Sequence, residues 1–156
     1  MKKAPLTSNH RAYRSLIIEA EGAFQVRHEL IEWKATALVA VRASSADIAR
    51  LREHVEVVGK SQRAGESYPR SGGDLHRLIL EMCGNPYLQM VGHDMQNQVR
   101  LARIQANRGP GWATSVYEEH DLIVRALEQR DPERASAAMV EHLRSSVKHL
   151  WRAPDD

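Results

Sequence analysis

Helical periodicity runs through this chain almost without interruption, and cap-and-proline pairs cut it into rods. Asn85-Pro86 and Asp131-Pro132 each place a side-chain acceptor directly before a proline. That pair starts a helix, because the cap oxygen serves early amide donors and proline's fixed φ suits the first helical position. Gly84 stands just before the first pair and suits the left-handed residue that closes a preceding helix. β-branched and aromatic residues are scattered and strict alternation never persists, so no segment reads as a strand. Short links favour antiparallel neighbours, and the expected fold is all-α, a bundle of six or seven helices.

The rods follow from the spacing. A first segment at 9–20 is weakly bounded, with Gly22 as an expected interruption before a second at 24–43. The apolar stripe expected on that second rod is Leu30, Trp33, Ala37 and Val41. Ser44 is read as the next N-cap, with Asp47 in the first turn, ahead of Ile48, Leu51, Val55 and Val58. Gly65, Pro69, Gly72 and Gly73 mark a loop, followed by a helix at 74–83. After Asn85 the fifth rod carries Leu88, Val91, Met95, Val99 and Ala102 and breaks at Arg108-Gly109-Pro110-Gly111. The sixth spans 114–129, and the last, capped at Asp131, reaches about Trp151.

Composition excludes several classes. Twenty-two basic against 20 acidic side chains, net +2, do not mark a nucleic-acid surface. No apolar run approaches the ~20 residues of a membrane span, and no signal-peptide core follows the basic start, so a cytoplasmic protein is expected. Cys83, the single cysteine, reads as a small buried hydrophobe.

Three histidines break the apolar pattern. His120 aligns with Val116, Ile123 and Leu127, His142 with Ala135, Met139 and Ser146, and His76 with Ile79, Leu80 and Cys83. A face that buries aliphatic groups normally excludes imidazole, and each buried ring needs a partner. One divalent ion would take a lone pair from all three and retain open positions. Separately hydrogen-bonded core histidines are the alternative. Glu118 and Glu119 flank His120 and are expected to project elsewhere. His10, His28, His54 and His149 match no constellation and are expected on the surface. Gln89, His93, Gln96 and Arg100 form a polar line, either a cavity wall or a solvated face. Trp33, Trp112 and Trp151 are expected to pack or to anchor an interface.

Four stretches carry a family resemblance. These are Val26-Arg27-His28-Glu29-Leu30-Ile31-Glu32, the helix from Asp74 through Gly84-Asn85-Pro86, the Glu119-His120 helix ending at Arg130-Asp131-Pro132, and the closing helix with Ala135, Ala138, Met139, His142 and Leu143. Together they resemble the FCD domain, the C-terminal effector-binding domain of FadR-type GntR transcriptional regulators. The resemblance implies an N-terminal extension at 1–23, the FCD-like domain at 24–152 and a tail at 153–156. It further implies a helical bundle around a central cavity with a divalent metal, zinc or nickel first and manganese or iron as alternatives. His76, His120 and His142 carry over as metal ligands. The family's aspartate place is Gly72 here, and Asp74 is the nearest carboxylate. Arg27 carries over as the partner of a small carboxylate effector. From the polar line, His93, Gln96 and Arg100 are read as further candidate effector contacts. The family's winged helix-turn-helix needs roughly 60–80 residues, typical of a small domain. Direct DNA binding by this chain is therefore not expected.

The function these readings imply is metabolite sensing by a regulator domain, as a homodimer, without catalysis. A metal-dependent enzyme and a structural dimerisation module are the competing readings.

Overall fold

The computed structural model describes the backbone of residues 8–63, 74–105 and 112–150, and side chains at 22, 24–61, 75–99 and 114–146. Within them the chain forms six helices and no strand: α1 Ser8–Arg42, α2 Ser45–Arg63, α3 Asp74–Met82, α4 Pro86–Gln105, α5 Trp112–Glu128 and α6 Pro132–Leu150. Helix α1 packs along α6, α6 along α5, and α5 along α2, while α1, α3 and α4 pack against one another.

The expected caps are present. Ser44 and Asp47 form a reciprocal box, Asp47 N donating to Ser44 Oγ and Ser44 N to Asp47 Oδ2, both at 3.1 Å. Asn85 Oδ1 accepts the amides of Tyr87 and Leu88 at 3.0 and 3.2 Å. Asp131 Oδ1 accepts that of Arg134 at 2.9 Å. Gly84 closes α3 at φ 66°. Arg130 closes α5 at φ 56°, with Asp131 N bonded to Ala126 O and Arg130 N to Leu127 O. That pair of bonds is a Schellman motif built on arginine in place of glycine. The Arg130 guanidinium also donates to Ala43 O, covering a carbonyl at the end of α1.

Helix α1 corrects two expectations. It runs unbroken past Gly22, so the segments at 9–20 and 24–43 are one rod. A helical glycine costs only about 1 kcal/mol relative to alanine, and Ala20, Glu21 and Ala23 around it are good helix formers. The buried face is also not the aromatic one. Leu30, Trp33 and Val41 are exposed, while Glu32, Ala35, Thr36, Val39 and Ala40 are fully buried. Ser136 of α6 donates to Pro132 O at 2.6 Å and meets Trp33 O at 3.2 Å.

The core joins Val39 and Ala40 of α1, Leu51 and Val55 of α2, Leu75, Ile79 and Leu80 of α3, Ile123 and Leu127 of α5, and Met139 and Leu143 of α6. Cys83 is buried there, as expected. Packing is close where α4 crosses α3. A Cβ on Gly92 would stand 2.4 Å from Leu80 Cδ2 and 2.7 Å from Cδ1, and Leu80 has no exposed surface into which to retreat. Gly92→Ala is therefore expected to destabilise. Overpacking costs about 1–3 kcal/mol, and the gain in helix propensity returns at most about 1. A lowered urea midpoint would show it, and an unchanged or raised one would contradict it.

Candidate metal centre

His76 enters from α3, His120 from α5 and His142 from α6, all essentially without exposure. Their three ligand nitrogens lie within 4.8 Å of one another. His142 Nε2 is 3.1 Å from His76 Nε2 and 3.3 Å from His120 Nε2. Each ring is carried inward by the aliphatic residues of its own face: Leu75 and Ile79 on α3, Ile123 and Leu127 on α5, Met139 and Leu143 on α6.

The outer nitrogens fix what the inner ones can do. His76 Nδ1 is 2.8 Å from Glu32 Oε2, and His142 Nδ1 is 2.7 Å from Glu119 Oε2. A carboxylate only accepts, so both Nδ1 atoms carry hydrogen and donate. In the neutral rings both Nε2 atoms then present lone pairs to each other across 3.1 Å. Such a contact needs a positive charge between the nitrogens. A proton serves two of them, and a divalent ion serves all three. Zinc–nitrogen bonds of 2.0–2.1 Å put neighbouring ligands of a tetrahedron ~3.3 Å apart, close to the spacing here. Histidine ligands backed by carboxylates on the far nitrogen are the usual support for a bound metal. The residues therefore fit the ion.

Neither carboxylate was anticipated from the sequence. Glu119 was expected to point away from the site, yet it reaches across from α5 to His142 on α6. Glu32 was concealed by the choice of an aromatic face on α1. His28 corrects a second expectation. It is buried rather than on the surface, 3.2 Å from Glu32 Oε1 and one helical turn before it. His54 is half-buried, and the side chains of His10 and His149 lie outside the described residues.

Burial pushes both carboxyls up, but their histidine contacts outweigh it. For Glu32 these are the charge of His76 and hydrogen bonds from His28 and His76, and its carboxyl is held below the usual range. For Glu119 the hydrogen bond from His142 leads, with the same result. Groups with depressed folded pKa values contribute stability that is complete above the unfolded value, ~4.3, and lost as pH falls through the folded one. The urea midpoint of the wild type is expected to fall more steeply below about pH 4.3 than that of Glu119→Gln. Equal slopes would deny Glu119 the role.

The other expected site residues are distributed unevenly. The Gln96 side-chain amide donates to Glu32 Oε1 and lies 3.4 Å from His28 Nε2, which places Gln96 beside the centre. His93 is half-buried on the same helix. Gln89 donates to Glu81 O at 2.9 Å, a contact across the α3–α4 turn. Arg27 is exposed, its guanidinium 5.5 Å from the Phe24 ring centroid, in a surface groove with Val26 and Leu30. The side chains of Asp74, Arg100, Trp112 and Trp151 lie outside the described residues.

Comparison with known proteins gives a consistent picture. The FCD domain matches residues 23–145. The HTH-type transcriptional repressor NanR of Citrobacter rodentium is 33% identical over 116 residues, 73% of this chain and 44% of the relative. NanR of Salmonella newport is 31% identical over the same extent. The chain thus spans less than half the length of these relatives. Among solved structures, Streptococcus agalactiae GntR superposes with a TM-score of 0.65 at 20% identity, covering 80% of this chain and 56% of that one. E. coli McbR/YncC gives the same score at 16% identity, covering 84% and 64%. These two likenesses concern the fold.

Proposed function

The chain belongs to the FCD domain family, and from that premise we propose that it senses a small carboxylate metabolite for a GntR-type transcriptional regulator. The relatives named above are transcriptional repressors, and the proposed role is likewise regulatory. No described helix is long and apolar enough to cross a membrane, and a cytoplasmic setting is part of the proposal.

The observation that carries the reading is the convergence of three imidazole nitrogens backed by two carboxylates. His76, His120 and His142 would hold a divalent ion through their inner nitrogens, zinc or nickel best matching an all-imidazole set. When bound, the ion supplies a Lewis-acidic position that accepts a carboxylate oxygen. The surrounding aliphatic residues would exclude water, which strengthens every polar contact inside. Gln96, beside the centre, and His93 and Arg100 on the same helix are the proposed effector contacts, whereas Arg27 lies in an exposed groove with Val26 and Leu30 rather than at the histidine centre. Differential binding of the effector would then bias the positions of the helices. Metal analysis of purified protein, followed by a thermal-shift screen of small mono- and dicarboxylates with and without chelator, tests the proposal. Stabilisation by a carboxylate that disappears with chelator supports it. Metal-free protein that responds to no carboxylate even after zinc is added refutes it.

The proposed partner is a second copy of this chain. Val26, Leu30, Trp33 and Val41 lie exposed on α1. Beside Trp33, the groove between α1 and α6 carries Lys34 and Arg144 together with Glu133 and Glu141. Charges of both signs around an apolar strip can pair with their own two-fold copy. Trp33→Glu is expected to shift sedimentation from dimer to monomer at micromolar concentration with the helical spectrum unchanged. A variant that sediments as the wild type would place the interface elsewhere.

A further inference from the structure

We propose that Glu32 is the positioning residue of the histidine centre, the group through which α1, a helix that contributes no histidine to the cluster, sets the ring of His76. The proposal rests on the metal-site reading above, and its test separates the two.

A carboxylate as buried as Glu32 is costly unless its oxygens are partnered. They are, from three helices. Oε2 accepts from His76 Nδ1 on α3 at 2.8 Å. Oε1 accepts from the Gln96 amide on α4 and faces His28 Nε2 on α1 itself at 3.2 Å. The Thr36 hydroxyl donates to Glu32 O at 2.7 Å and holds the backbone turn from which the side chain departs. The carboxylate is therefore held at both oxygens.

The consequence falls on the His76 tautomer. With Nδ1–H committed to Glu32, the ring offers its lone pair at Nε2, the atom 3.1 Å from His142 Nε2. Without an acceptor at Nδ1 the hydrogen can move to Nε2, which then has no lone pair for the centre. Gln96 acquires a defined part in this arrangement. It acts on the centre by holding Glu32, whatever contact it also makes with an effector. Because Glu32 is fixed to α1, a displacement of His76 is passed to the helix whose opposite side carries Leu30 and Trp33, both exposed.

The test uses the full chain with Glu32→Ala and Glu32→Gln. Long-range proton–nitrogen NMR of metal-free protein at alkaline pH reads the His76 tautomer, and chelator competition reads zinc affinity. The wild type should show a single Nδ1–H tautomer. Glu32→Ala should show a mixture that includes Nε2–H and bind zinc ten- to hundredfold more weakly, the range for loss of a ligand's supporting partner. Glu32→Gln keeps an acceptor oxygen, so the tautomer should persist while affinity falls by about tenfold with the lost charge. A merely structural carboxylate would lower the melting temperature and leave tautomer and affinity alone. An unchanged zinc affinity in Glu32→Gln overturns the proposal even if Glu32→Ala does not fold. A wild type that binds no zinc defeats the metal reading, and the tautomer still decides the role of Glu32: Nε2–H appearing in Glu32→Ala supports it, while an unchanged tautomer there, or Nε2–H on His76 of the wild type, overturns it.

Discussion

Replacing His142 by alanine is expected to remove zinc-dependent stabilisation altogether. His142 Nε2 is the atom within 3.3 Å of both other inner nitrogens, so its loss leaves two ligands where three converged. For the wild type, zinc at a hundredfold excess over its dissociation constant adds about 2.7 kcal/mol. In a domain of this size each kcal/mol moves the midpoint by roughly 2–4 °C, so the zinc shift should be about 5–10 °C. His142→Ala should show none of it. The metal-free variant should also melt below metal-free wild type, because Glu119 loses the imidazole it accepts from. Differential scanning with zinc and with chelator, together with elemental analysis, reads both effects. A variant that keeps one zinc per chain and the full shift would show that the histidines do not share an ion.

The three histidines were legible because each breaks an apolar face whose period is otherwise unmistakable. Helix ends were legible for a similar reason. Asn85, Asp131 and Gly84 are residue types whose local chemistry admits few other roles, and each is found in it. Helix α1 was misread because side-chain size was weighed above period. His28, Glu32, Ala35, Thr36, Val39, Ala40 and Ala43 recur at steps of four, three, one, three, one and three, a regular helical face made of small and polar residues. Trp33 and Leu30 drew attention away from it. A carboxylate on a buried face is informative only when the face is correctly chosen. Glu119 is a different case. Its partner lies on another helix, and adjacency to His120 along α5 says nothing about the approach of α6. Such contacts between rods depend on helix crossing, which local spacing does not encode.

Leu127→Ala and Leu122→Ala, two truncations on one helix, should differ by several kcal/mol. Leu127 follows His120 by seven residues, on the same face, and has no exposed surface. Its removal leaves a cavity among core side chains that are themselves fully buried, and such truncations cost about 2–5 kcal/mol. Leu122 lies two residues from His120 and is 56% exposed, so its truncation should stay within about 0.5 kcal/mol. Urea denaturation measures both. The comparison bears on the site, because the face that buries Leu127 is the face that delivers His120. Leu127→Ala should therefore retain one zinc per chain while losing stability, whereas His142→Ala loses the metal. Similar costs for the two leucines would mean that α5 is rotated from the orientation described, and His120 could then not meet the other two rings.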